Sequence, residues 1–134
     1  MSRSGYSDYD DYSGNPEWAR IRWRGAVHSA LCGKRGQAFL RELKDALDQL
    51  EAKRLIADDL VRDGEVCALG AVARARGVDL SGVDPEDYET VAGTLGVAPA
   101  MAQEIMWLND ELYDRKTPEE RYRLMKKWVE DWTS

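Results

Sequence analysis

Residues 63–77 read DGEVCALGAVARARG, the most apolar stretch of the chain. Val66, Ala68, Leu69, Ala71, Val72, Ala73 and Ala75 leave almost no polar face in its middle. A helix that is apolar nearly all round is usually buried nearly all round. Asp63 and Gly64 offer an N-cap and a turn, and Glu65 suits the positive N-terminal end of a helix. Arg74 and Arg76 suit the negative C-terminal end, and Gly77 can take the left-handed position that closes it. The stretch predicts a short central helix over residues 65–76, wrapped by the other elements.

Working back towards the N-terminus, residues 54–63 read as a short extended pair or an irregular loop, with Leu55-Ile56 and Leu60-Val61 flanking Ala57-Asp58-Asp59. Residues 37–53 place Phe39, Leu40, Leu43, Ala46, Leu47 and Leu50 on one face, the spacing of an amphipathic helix. On its solvent side Arg41 with Asp45 and Lys44 with Asp48 are i,i+4 pairs, each worth about a few tenths of a kcal/mol. Asn15-Pro16-Glu17 is a helix start, with a cap, proline in the first turn and an acid behind it. That helix is expected to run to about Cys32 with Ala19, Trp23, Ala26, Val27, Ala30 and Leu31 as its stripe, and Gly33-Lys34-Arg35-Gly36 breaks it. The break is not a phosphate-binding loop, because no longer glycine loop precedes a Lys-Ser/Thr pair. Residues 1–14 are mostly Ser, Gly, Asp and Tyr with nothing to bury, and read as a disordered acidic arm, either a solubilising tail or an acidic, aromatic arm that orders on a basic partner.

Working forward, Val78, Leu80 and Val83 tack a loop onto the core. Asp84-Pro85-Glu86-Asp87 opens a fourth helix that ends at Leu95 and Gly96, with Tyr88, Val91, Ala92 and Leu95 inward. Pro99 starts a fifth, running to about Leu112, with Ala102, Ile105, Met106 and Asn109 on one face. Thr117-Pro118-Glu119-Glu120 is a capping box for a last helix striped by Tyr122, Met125, Trp128, Val129 and Trp132. The fold class is therefore all-α: residues 15–134 form a single helical domain. It is a compact bundle of five or six short helices around a buried central helix, with room for one short extended pair.

Composition narrows the function. At 134 residues, 43% hydrophobic and 33% charged, the chain suits one globular domain with a real core. A formal net charge of −6 argues against non-specific binding to nucleic acid or an anionic membrane surface. No apolar run approaches the roughly 20 residues of a membrane span, and the first residues lack the apolar segment of a secretory signal. Cys32 and Cys67 alone make no disulfide framework, which points to a reduced, cytoplasmic setting.

Three groups of residues could carry chemistry. Residues 18–41 contain no acid but hold Arg20, Arg22, Arg24, Lys34, Arg35 and Arg41, with Trp18 close by. Such a segment can grip phosphates and stack bases, or pair with the acidic surface of the protein itself. Residues 89–107 have the buried spacing of a helix-turn-helix. Its second helix would offer Ala98, Pro99, Ala100, Met101, Gln103, Glu104 and Trp107 to a groove, where only Gln103 can read a base. Cys67 could be a nucleophile with His28 as base and Asn109 or Asp110 as orienter, although a small Cys in an apolar helix is more often core. Asn109, on an inward face, must find partners. It is expected either to fix the turn towards Thr117 or to floor a pocket with Cys67 and Asp110. One His and two Cys with no paired spacing do not suggest zinc, and Asn109-Asp110-Glu111 is too short for a calcium loop. No cofactor is expected.

RGQAFLREL at residues 35–43, CALGA at 67–71, NDE at 109–111 and TPEER at 117–121, in that order and spacing, resemble a family of small uncharacterised proteins of tailed bacteriophages and prophages. The likeness covers most of the chain beyond the acidic arm. It brings no activity and no functional residue. It implies a setting, the cytoplasm of an infected or lysogenic bacterium. The expected function is that of a non-enzymatic accessory protein that binds a host or phage protein, for instance as an inhibitor of a host system. Its partner surface is expected at Trp18, Arg20, Arg22, Arg24, Lys34, Arg35, Trp107 and Tyr113, since aromatic and arginine side chains dominate interface energetics. Nucleic-acid binding and a Cys67-dependent enzyme are the alternatives.

Overall fold

The computed structural model describes residues 16–112 and 116–134, without the side chains of residues 16–23 and 112. Helices α1 (Pro16–Cys32) and α2 (Lys34–Gln49) are followed by a small hairpin, β1 (Val61–Arg62) and β2 (Glu65–Val66). Then come α3 (Ala68–Arg76), α4 (Tyr88–Leu95) and α5 (Pro99–Trp107), which widens into a π-helical segment (Leu108–Leu112) before α6 (Pro118–Trp132). The architecture is the expected helical bundle with one short extended pair. The acidic arm and Tyr113 lie outside the described residues.

The core is organised around two helices rather than one. All of residues 68–73 in α3 and all of residues 101–106 in α5 are buried. Helix α3 packs on α2 and α5, while α5 also packs on α1 and α4, and α6 closes the far side against α2 and the π-helical segment. Most of the apolar stripes fall where their spacing put them, but Ala26 of α1 and Trp132 at the end of α6, both expected inward, are exposed because no element among the described residues covers them there. Leu40, Leu43 and Leu47 of α2, and Met125 and Val129 of α6, have no exposed surface. Tyr122 is buried as well, and its hydroxyl donates to the Leu47 carbonyl at 2.9 Å. Burial pushes the Tyr122 phenol above its usual range, which keeps it a donor.

The start of the central helix differs from expectation. Asp63 and Gly64 do not cap it; they form the turn of the hairpin, with φ of 53° and 79°. Val61 pairs with Val66 and Arg62 with Glu65 in an antiparallel register. Asp-Gly between two short β-favouring pairs is a strong signal for a tight two-residue hairpin turn, because both turn positions need positive φ. The ladder engages the Glu65 and Val66 backbone, so the helix begins later. Cys67 becomes the N-cap, its Sγ accepting from the Gly70 N–H at 3.4 Å. The far end is as expected: Gly77 takes φ of 73° and donates to the Ala73 and Arg74 carbonyls.

Helix α2 starts earlier than expected, since only Gly33 interrupts the chain and Gly36 lies inside the first turn. A Cβ at Gly36 would stand 1.7 Å from the Ala30 carbonyl oxygen, so this glycine is the point where α2 crosses the backbone of α1. The i,i+4 pairs expected on α2 do not form among the described residues. Asp48 is reached by Lys126 of α6, and Glu42 binds Arg76 of α3 through two hydrogen bonds of 2.5 and 2.6 Å. An exposed i,i+4 pair is worth only about a few tenths of a kcal/mol, too little to hold Asp48 in place against the contact with Lys126 that packing of α6 brings. Helix α4 starts at the Asp87 cap rather than at Pro85, because Asp84 is engaged in a preceding turn, accepting from the Glu86 N–H at 2.9 Å. The capping box of α6 is present, with Thr117 and Glu120 bonding each other's backbone at 3.1 and 3.3 Å. Among the described residues no helix is long and apolar enough to cross a membrane.

Candidate functional site

Residues 55–60 run as an irregular segment through the interior, and Leu55, Ile56 and Leu60 are buried. Buried backbone must find hydrogen-bond partners. The Leu55 N–H donates to the Pro118 carbonyl at 3.1 Å and its carbonyl accepts from Arg121 Nη1 at 2.9 Å. The Ile56 N–H donates to the Val66 carbonyl at 3.0 Å and its carbonyl accepts from Asn109 Nδ2 at 2.8 Å. Asp58, in the left-handed region at φ 69°, donates its N–H to Asp110 Oδ1 at 3.0 Å. Asn109 Oδ1 accepts from the Ala68 N–H at 3.3 Å, and its Nδ2 also donates to Asp110 Oδ1 at 2.8 Å. Asn109 therefore ties the segment 55–60 to the first turn of α3, not the turn towards Thr117. Arg121, 6% exposed, is a buried partner that the sequence pattern did not single out.

This arrangement bears on the Cys67 group. Cys67 and Asn109 are each 1% exposed, and the amide of Asn109 is engaged by backbone and by Asp110. Cys67 Sγ holds the Gly70 N–H. His28 is exposed on α1, where its ring lies beside Cys32 and meets the Trp132 ring edge-on at a centroid distance of 6.0 Å. The hydrogen bonds of Cys67 and His28 thus do not join them. Asn109 and Asp110 do stand beside the first turn of α3, but as fasteners of a buried loop.

The helix-turn-helix spacing is real as packing: α4 and α5 form a tight hairpin through Gly96, which takes φ of 71°. The helix that would enter a groove is α5, and it is the other buried helix of the core. Met101, Gln103 and Glu104, expected on its outer face, are buried. Trp107 is half-buried against the core, not an exposed anchor, because α1, α3 and α4 surround α5.

The basic segment is partly in view. Arg24, Lys34 and Arg35 are exposed, whereas the side chains of Trp18, Arg20 and Arg22 lie outside the described residues. Arg35 Nε donates to the Gly96 carbonyl at 2.8 Å, which ties the start of α2 to the α4–α5 turn. Neither Arg24 nor Lys34 has an acidic partner among the described residues, while Arg54, Arg62, Arg76, Lys126 and Lys127 each have one. Lys34 and Arg35 stand at the rim of a cavity of about 180 Å³ whose floor includes Ala30, Val97 and Met101. A larger cavity of about 470 Å³, between the end of α2 and the hairpin, differs in its cations. There Arg54 is paired with Glu65, and Arg74 donates to the Gly64 carbonyl at 2.5 Å.

The chain matches no protein-family model, no curated protein and no solved structure.

Proposed function

We propose that this chain is a non-enzymatic accessory protein that acts by binding another protein. The setting we propose is the one implied by its resemblance to phage and prophage proteins: the cytoplasm of a bacterium, with a host or phage protein as partner. One observation carries the reading: at the α1–α2 turn, cations without an acidic partner among the described residues border a small apolar cavity. A partner segment that presents a carboxylate beside an apolar side chain complements such a surface in charge and in shape. The interior supports the same reading, since Cys67, Asn109 and Asp110 hold backbone in place.

The test is affinity capture from bacterial lysate, followed by measurement of the purified pair. Arg24→Glu with Lys34→Glu is expected to weaken binding at least about tenfold, mainly at low salt, because exposed charges act through a screened field. Arg123→Glu with Lys127→Glu, on α6, should leave it unchanged. Equal binding by the first double variant contradicts this surface. Micromolar binding to DNA that falls steeply with salt and is lost in that variant would favour the nucleic-acid alternative.

A further inference from the structure

We propose that residues 6–11 of the acidic arm dock on the α1–α2 turn of their own chain, a proposal that rests on the reading of that turn as the partner surface. The arm has the chemistry such a surface takes: residues 6–12 read YSDYDDY, with Tyr6, Tyr9 and Tyr12 interleaved with Asp8, Asp10 and Asp11. The turn has the complement. Residues 18–41 contain no acid, in a chain with 25 acidic and 19 basic residues, so three carboxylates are drawn here rather than to the rest of the surface. Arg24 and Lys34 are exposed and have no acidic partner among the described residues. Gly33 caps α2 without a side-chain hydrogen bond and the first turn carries no acid, so no side chain of that turn offsets the positive end of the helix dipole.

The reach of the chain decides which residues meet. The arm joins α1 at Pro16. A rise of about 1.5 Å per residue puts Arg24 about 12 Å along the helix and the turn at Gly33 about 26 Å along it. An extended chain spans about 3.3–3.6 Å per residue, so counted back from Pro16, Asp11 reaches about 17 Å, Asp8 about 27 Å and Tyr6 about 34 Å. Run back along α1, the arm brings Asp10 and Asp11 within reach of Arg24 and Asp8 within reach of Lys34. Tyr6 then reaches the cavity of about 180 Å³ that is lined by Ala30, Val97 and Met101. Arm and turn belong to one chain, so each meets the other at an effective concentration on the order of millimolar, which suits a contact of weak intrinsic affinity. The docked arm competes with a partner for the turn, and the partner's apparent affinity falls with the fraction of chains left open.

A nitroxide on Cys32, the exposed cysteine at this turn, reads the contact in the full chain by NMR. At low salt the amide signals of Asp8 to Asp11 should be at least about twofold weaker with the nitroxide oxidised than reduced, and they should recover at about 1 M salt, where the screening length is about 3 Å. Joint Asp8→Asn, Asp10→Asn and Asp11→Asn should also restore the signals at these positions. So should Arg24→Glu with Lys34→Glu, whereas Arg123→Glu with Lys127→Glu should leave the attenuation as it was. Equal signals in the two nitroxide states of the parent would overturn the proposal, as would attenuation that ignores salt and both charge variants. Attenuation of equal strength between mixed copies, one carrying the nitroxide and the other the isotope, would put the arm on a second copy and overturn it too. No partner is present in these measurements, so a failure here is distinct from a failure of the capture experiment.

Discussion

Asn109 shows how a single buried polar side chain can be fully engaged in holding backbone. Its amide joins the Ile56 carbonyl, the Ala68 N–H and Asp110. In Asn109→Asp a carboxylate oxygen would replace the donor facing the Ile56 carbonyl, leaving acceptor against acceptor in a buried site. We expect the variant to lose about 2–4 kcal/mol in denaturant unfolding, the range for unsatisfied buried groups plus an uncompensated charge. The glycines make a second, sharper contrast. A Cβ at Gly70 would meet the Leu60 carbonyl oxygen at 2.1 Å, whereas one at Gly93, exposed on α4, meets nothing within 4 Å. Gly70→Ala should therefore destabilise by about 1–3 kcal/mol, since backbone would have to move. Gly93→Ala should stabilise by about 0.4–1 kcal/mol through the unfolded chain. Equal effects in urea melts would mean that α3 is not pressed against the loop as described.

The helices were legible in the chain to the extent that their signals were local. The proline starts at Pro16, Pro99 and Pro118, the Thr117–Glu120 box, Gly77 and Gly96 act within one turn and are where the sequence placed them; only Pro85 is not, since the Asp87 cap starts α4 instead. Asp63-Gly64 was ambiguous because the same two residues can cap a helix or turn a hairpin. The choice was made by pairing between Val61 and Val66, which no single-helix pattern displays. Ion pairs were the least legible, since an exposed carboxylate takes whichever cation tertiary packing brings closest. Thr117→Ala should cost about 1 kcal/mol, the usual value of a lost N-cap. The Arg76 hydrogen bond, the largest cause, holds the Glu42 carboxyl below its ordinary value of 4.5. A depressed carboxylate contributes stability above its unfolded pKa and loses it as pH falls through the folded one. Acid unfolding should therefore steepen below about pH 4.5. Glu42→Gln should be slightly less stable at neutral pH and flatter in that acid window, a small effect because the pair is about a third exposed. Parallel pH profiles for the two proteins would show that the pair does not form.

At the scale of the molecule, the apolar run at residues 66–73 announced a buried helix, and the structure adds α5 as its equal. The burial of α5 was hidden because Gln103 and Glu104 look like surface residues when read along the sequence; only packing against α1, α3 and α4 encloses them. The candidate surface was legible as a run without acids, but whether its cations stay unpaired depended on distant elements. Together these placements make the interior a packed scaffold, and the recognition surface we propose lies outside it. Thiol labelling of the native protein, located by peptide mass spectrometry, tests that division most directly. Cys32 should react at the rate of an exposed thiol, while Cys67, 1% exposed, should react only as fast as the whole chain unfolds. Labelling of Cys67 in the folded protein at a rate close to that of Cys32 would contradict the account and reopen the first turn of α3 as a reactive site.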